Sequence, residues 1–190
     1  MFNQSLHGKV ALVTGGGTGL GYGAAKRLSE AGAFVYIVGR RLDVLEKAAR
    51  SLGNSVRPVQ ADVSQKEEML KVAETIRSEK VNLDIIFSNA GFCKEVPLED
   101  ITEEYFDSAF KVNVKGSLFT VQAMLPIMND GGSIILTSSM TAFIGLPRYT
   151  VYAATKAAII GMARCWTTDL KHRKIRVNVL SPGAVPTEGY

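Results

Sequence analysis

The sequence predicts an α/β fold, a doubly wound and mainly parallel sheet with helices on both faces. Three observations carry that prediction. Short β-branched runs alternate with helical patterns from one end of the chain to the other, each run is apolar enough to be covered on both faces, and irregular stretches follow the strand C-termini, where such sheets bind ligands. At 190 residues and 46% apolar, the chain has material for one compact domain, 1–190, with a single core.

Strands are predicted over 9–14, 33–38, 56–61, 83–88, 133–138 and 175–180. Helical periodicity fills the intervals over 20–31, 43–52 and 65–78, then over a long broken stretch at 102–128, and finally over 149–171. Right-handed helical crossovers joining six such strands make the doubly wound sheet. No internal repeat, low-complexity tract or linker divides the chain.

Composition narrows the function classes. The net charge is +4 and the pI about 9.1, but Lys and Arg are interspersed with Asp and Glu on helix faces, which reads as solvated surface and not as a nucleic-acid site. The two cysteines, Cys93 and Cys165, form neither a metal spacing nor a disulfide framework, so a reducing, cytoplasmic setting and no metal are expected. Met1 to Gly8 lacks the charged start and apolar stretch of a signal peptide, and no run approaches the length of a membrane span.

The first strand runs into Thr14-Gly15-Gly16-Gly17-Thr18-Gly19-Leu20-Gly21, and a helix follows. Glycines permit a tight turn and let backbone amides approach a pyrophosphate, which the helix N-terminus then stabilises through its dipole. The spacing Thr14-Gly-x-x-x-Gly19-x-Gly21 resembles that of short-chain dehydrogenases/reductases, and differs from the tighter Gly-x-Gly-x-x-Gly of other dinucleotide folds. The resemblance implies a Rossmann fold and a nicotinamide cofactor held by Gly15, Gly17, Thr18, Gly19, Leu20 and Gly21.

The second strand ends at Gly39-Arg40-Arg41, where NAD-binding units usually carry an acidic side chain for the ribose hydroxyls. A missing carboxylate removes a repulsion, and the Arg40 guanidinium can grip a 2′-phosphate through paired charge-assisted hydrogen bonds. NADP(H) is therefore expected, with NAD(H) the alternative. After the third strand come Asp62-Val63, the family's place for an Asp that accepts from the adenine amino group. After the fourth, Ser88-Asn89-Ala90-Gly91 is similar to the family's Asn-Asn-Ala-Gly, with Ser88 in place of the first Asn. Beyond the sixth strand, Pro182-Gly183-Ala184-Val185-Pro186-Thr187 resembles the family's Pro-Gly-x-x-x-Thr, which implies that Pro182, Gly183 and Val185 flank the nicotinamide and that Thr187 binds its carboxamide.

Hydride transfer at a carbonyl creates or consumes an oxyanion, so a proton donor must reach that oxygen. Tyr152-Ala-Ala-Thr-Lys156 places a phenol and an ammonium four residues apart, one turn away on the same helix face. A free phenol titrates near pH 10, and a neighbouring positive charge favours the phenolate. Six tyrosines and 22 basic residues give about 0.7 such pairs by chance, so the pair needs support from elsewhere in the chain. Ser138-Ser139, at the end of the fifth strand, supplies it. The resemblance implies a catalytic serine there that polarises the substrate oxygen; distance to the tyrosine selects Ser139, with Ser138 the alternative. Asn113 is a poor helix former inside the long fourth helix, and the resemblance gives it a role as a proton relay through a water connected to Lys156. Lys156 is expected also to bind the nicotinamide ribose.

The expected activity is thus carbonyl–alcohol interconversion on a small molecule, by an enzyme that binds neither nucleic acid nor membrane. An enoyl- or dienoyl-CoA-type reductase of the same superfamily is one rival, and a non-enzymatic nucleotide-binding scaffold another. Relatives continue past the Pro-Gly motif with a substrate lid, a last strand and a helix, so residues beyond Tyr190 are expected. Among the remaining loop residues, Phe92, Cys93, Met140, Phe143, Ile144 and Tyr149 suggest an apolar pocket. The last helix carries Ala153, Ala154, Ala157, Ala158, Gly161 and Ala163, small residues that allow close approach of another helix, and a homodimer or homotetramer is expected.

Overall fold

The computed structural model describes residues 5–79 and 81–187; the absence of a leader, read from 1–8, falls partly outside the described residues, and Tyr190 wholly so. Six strands are formed, β1 (Val10–Thr14), β2 (Phe34–Gly39), β3 (Val56–Gln60), β4 (Leu83–Ser88), β5 (Met128–Thr137) and β6 (Arg176–Leu180). Between them run α1 (Gly19–Glu30), α2 (Leu42–Leu52), α3 (Lys66–Ser78), α4 (Glu103–Phe110), α5 (Gly116–Met124) and α6 (Thr150–Asp169). All pairings are parallel in the order β3-β2-β1-β4-β5-β6, the order of a Rossmann fold, which reverses direction between β1 and β4.

Alternation along each strand divides the core in two. Leu12, Tyr36, Ile86, Ile134 and Leu136 face α3, α5 and α6 with Met69, Val121 and Ile159. Ala11, Val13, Val35 and Ile37 face α1 and α2 with Ala25, Leu45 and Ala48. Burying each large side chain in these layers contributes about 1.5–3 kcal/mol. Among the described residues, no helix is long and apolar enough to cross a membrane.

The structure corrects two expectations. Among the described residues, not every strand is covered on both faces: β3 and β6 are outermost, and in β6 exposed Arg176, Asn178 and Leu180 alternate with half-buried Val177 and Val179. The stretch over 102–128 is broken, as expected, but its last residues are not α-helical. α4 passes into a π turn at Lys111–Lys115, α5 ends at Met124, and a 3₁₀ turn at Leu125–Ile127 leads straight into β5. Pro126 supplies no N–H to continue an α-helical ladder. β5 starts five residues earlier than expected because Met128 pairs with Leu83 and the register then shifts before Ile85 meets Ser133. Gly131, with φ of 78°, takes a left-handed conformation within this irregular entry.

Candidate active site

The C-terminal ends of β1, β4 and β5 are laced together by side chains. Thr14 Oγ1 accepts hydrogen bonds from the amides of Asn89 (2.9 Å) and Ala90 (3.0 Å), Asn89 Nδ2 donates to the Thr14 carbonyl (3.2 Å), and Thr137 Oγ1 donates to Asn89 Oδ1 (3.3 Å). The glycine turn sits on this lacing. Gly15 has φ of 65°, and a Cβ there would lie 3.1 Å from Ala90 Cα; a Cβ on Gly21 would overlap the Gly15 carbonyl at 2.1 Å. Thr18 caps α1 without a side-chain hydrogen bond, and no acidic residue stands in the first turn. The first helical amides are thus left without side-chain acceptors at the positive end of a dipole, which suits an anion. A backbone cradle that tolerates no Cβ, ending on an uncapped helix, fits the pyrophosphate of a dinucleotide.

Two clefts open from the turn. The smaller, about 190 Å³, is lined by Gly15, Gly17, Thr18, Arg40, Asp62 and Val63 among others. Arg40 and Arg41 are exposed, and among the described residues no carboxylate pairs with either. The Arg40 carbonyl accepts from Gln60 Nε2 at 2.8 Å, fixing the backbone of this corner. Asp62 has one carboxylate oxygen engaged by the Ser64 amide at 2.9 Å.

The larger cleft, about 780 Å³, joins Gly15, Thr18 and Leu20 to Ser139, Tyr152 and Lys156, with Asn89, Ala90 and Gly91 on one side and Pro182, Gly183, Val185 and Thr187 on the other. Gly19 and Gly21 line neither cleft and act through the backbone; a Cβ on Gly19 would meet Thr187 at 3.6 Å. Phe92, Cys93, Met140 and Tyr149 do line the large cleft, whereas Phe143 and Ile144 lie outside it and are exposed. Cys93 and Cys165 are free and exposed.

Lys156 is 4% exposed; its Nζ donates to the Thr137 carbonyl at 2.9 Å and lies 5.5 Å from the centroid of the Tyr152 ring. Burial pushes the ammonium down from 10.5 to about 8. The two serines have different commitments. Ser138, 1% exposed, donates its hydroxyl to the Lys156 carbonyl at 2.8 Å. Ser139 Oγ accepts from the Thr141 amide at 3.2 Å, which leaves its own proton to donate.

Asn113 lies in the π turn, 1% exposed, and its amide reads the backbone of Phe92 from both sides. Oδ1 accepts from the Phe92 amide (3.0 Å), and Nδ2 donates to the Phe92 carbonyl (3.0 Å) and to Thr155 Oγ1 (3.1 Å), which itself donates to the Tyr152 carbonyl at 2.7 Å. With the side chain so occupied, a relay from Asn113 has only its main-chain carbonyl, which accepts from Ser117 Oγ at 2.9 Å. A Cβ on Gly91 would lie 3.0 Å from Asn113 Oδ1 and 3.6 Å from Lys156 Nζ, so a larger residue would crowd the Asn113 amide. Sequence reasoning named neither Thr137 nor Thr155 for the site. Their signal was position: each adjoins a residue that was named, one at the end of β5 and one on α6.

The family model described as short chain dehydrogenase matches residues 9–189. The chain belongs to the short-chain dehydrogenase family. It is 46% identical over 187 residues to the oxidoreductase asL5 of Sarocladium schorii, covering 97% of this chain and 75% of that protein. It is 41% identical to versicolorin reductase 1 of Aspergillus parasiticus, with 99% and 74% covered, and 36% identical to the hydroxynaphthalene reductase-like protein Arp2 of Metarhizium brunneum, with 98% and 72% covered. A solved short-chain dehydrogenase/reductase from Serratia marcescens superposes with a TM-score of 0.92 at 33% identity, over 97% of this chain and 77% of that one. As a short-chain dehydrogenase, the chain is an oxidoreductase of a family that generally binds NAD(P), and its site lies where the sheet order reverses.

Proposed function

We propose that this short-chain dehydrogenase interconverts a carbonyl and an alcohol with NADP(H), and that residues 1–190 act as one nucleotide-binding domain carrying the catalytic groups. The observation that carries the reading is the buried Lys156 ammonium beside the Tyr152 ring, on the same cleft as the glycine turn. Gly15, Gly17, Thr18, Gly19, Leu20 and Gly21 would hold the pyrophosphate, Asp62 and Val63 the adenine, and Arg40 the 2′-phosphate. Asn89, Ala90, Gly91, Lys156, Pro182, Gly183, Val185 and Thr187 would hold the nicotinamide half. When bound, the nicotinamide supplies or accepts the hydride.

In the reductive direction Tyr152 donates its phenolic proton to the carbonyl oxygen, and the positive charge of Lys156 stabilises the phenolate left behind. Ser139, whose proton is uncommitted, polarises the same oxygen; Ser138 has given its proton to a backbone carbonyl. Asn113 fixes Phe92 and, through Thr155, the start of the catalytic turn. Phe92, Met140, Leu146 and Val185 give the cleft apolar walls. Together with the similarity to a versicolorin reductase and a hydroxynaphthalene reductase-like protein, they support a flat aromatic ketone or its alcohol as substrate. The free, exposed cysteines support a reducing compartment such as the cytoplasm. The exposed stripe of Ala154, Ala157 and Gly161 on α6 supports a homodimer or homotetramer.

Tyr152→Phe tests the mechanism. Turnover of β-tetralone should fall about 10²–10⁴-fold, while titration with NADPH, followed by nicotinamide fluorescence, should show unchanged affinity. A variant that keeps full turnover overturns the assignment of Tyr152.

A further inference from the structure

The large cleft has apolar and polar walls, and among its described lining residues Glu95 is the one carboxylate. Glu95 accepts a hydrogen bond from Tyr149 Oη at 2.7 Å, and among the described residues no cation pairs with it. A carboxylate offers about four lone-pair sites and accepts only, so the single bond from Tyr149 leaves most of its capacity unused.

The position of Glu95 is fixed by its neighbours. Tyr105 Oη donates to the Lys94 carbonyl at 2.8 Å, the Val96 amide donates to the Arg148 carbonyl at 2.9 Å, and Asn113 holds both backbone groups of Phe92. The residues on either side of Glu95 are therefore tied to different parts of the fold, one to α4 and one to the loop before α6. Tyr149 is the N-cap of α6, three residues ahead of Tyr152, and the two rings meet edge to face at 6.3 Å. Glu95, Tyr149 and Tyr152 thus stand in fixed register along one wall. The charge of Glu95 is felt inside the cleft, where it adds to burial in pushing the Cys93 thiol up, against an opposing effect from Lys156.

We propose that Glu95, held by Tyr149, accepts a hydrogen bond from a substrate hydroxyl remote from the reacting carbonyl, and so makes the cleft selective for hydroxylated over plain aromatic skeletons. The proposal rests on the reductase reading for its substrate class, but it concerns recognition and not the chemical step. An acceptor-only group cannot bond to a carbonyl or ether at that place, and a site built around a substrate hydroxyl discriminates against an analogue that lacks it. The hydrogen bonds on either side of Glu95 hold its backbone in place before a hydroxyl arrives, which lowers the ordering cost of binding.

The test measures binding of unreactive ligands by calorimetry, with the protein saturated by NADP⁺. β-Naphthol is compared with a panel of naphthalenediols. The native chain should bind its best diol about tenfold more tightly than β-naphthol, as expected for one hydrogen bond to a charged acceptor. In Glu95→Gln, an isosteric change at an exposed position, the ratio should fall to about twofold, and Tyr149→Phe should lower it by releasing the carboxylate. A native chain without diol preference, or an unchanged ratio in Glu95→Gln, overturns the proposal. NADPH-dependent reduction of β-tetralone by the native chain is assayed in parallel. Lost preference in Glu95→Gln without native turnover upholds the recognition and sinks the reductase reading; retained preference with turnover does the reverse.

Discussion

Lys156 combines two demands that oppose each other. The proposed mechanism needs its charge beside Tyr152, yet burial disfavours that charge and pushes the ammonium down to about 8 from 10.5. Because the folded value lies below the unfolded one, the unfolded chain binds more protons between about pH 8 and pH 10.5, and stability rises with pH across that window. The cost of the buried charge is complete below pH 8. Lys156→Met should therefore stabilise the fold by about 2 kcal/mol at pH 7, the relieved cost less the lost bond to Thr137. The gain should shrink as pH rises toward 10.5, while turnover is lost; denaturant unfolding across that range checks it. Arg40 carries the complementary prediction at the other end of the cofactor. Arg40→Asp exchanges the cation proposed to bind the 2′-phosphate for a repelling anion and should weaken NADPH at least tenfold while improving NADH, measured by paired fluorescence titrations. An unchanged NADPH affinity assigns Arg40 to the surface.

At the level of elements, the π turn between α4 and α5 is what brings Asn113 to Phe92. Asn113→Ala removes the partner of three buried or half-buried groups, so it should destabilise by about 2–4 kcal/mol in denaturant unfolding and raise KM more than it lowers kcat. Much of this architecture was legible in the sequence. The strands, the glycine turn, Tyr152 with Lys156, and Ser138-Ser139 are local patterns whose spacing carries their meaning, and the structure brings Ser139, Tyr152 and Lys156 to one cleft. The pairings were not legible. Nothing near Asn113 in the chain points to Phe92, 21 residues earlier, and nothing near Glu95 points to Tyr149, 54 residues later. The break expected within 102–128 is found, but the helical pattern overruns the end of α5 because a 3₁₀ turn keeps helical periodicity while changing the hydrogen-bond ladder.

For the whole molecule, the exposed small-residue stripe of α6 bears on assembly. A Cβ added at Gly161 meets nothing within 4 Å, so Gly161→Arg leaves the protomer folded and removes a glycine from a helix interior, a gain of about 0.8 kcal/mol. Light scattering at micromolar concentration should report a dimer or tetramer for the native chain and a monomer for the variant. A monomeric native chain contradicts the assembly.

The lacing of Thr14, Asn89 and Thr137 has a consequence for the order in which the molecule matures. Its bonds join residues 75 and 48 positions apart, so each closes a long loop and none can form until distant parts of the chain have been made and docked. A nascent chain that has emerged only as far as β4 contains the glycine turn but lacks the Thr137 end of its support. Full affinity for a ligand of that turn would then be acquired only once β5 has closed against β4, and the ligand would add its binding energy to chains that have reached that stage. A cofactor in this position would act as an inspector of that closure, stabilising chains in which β5 has docked and giving little to those in which it has not.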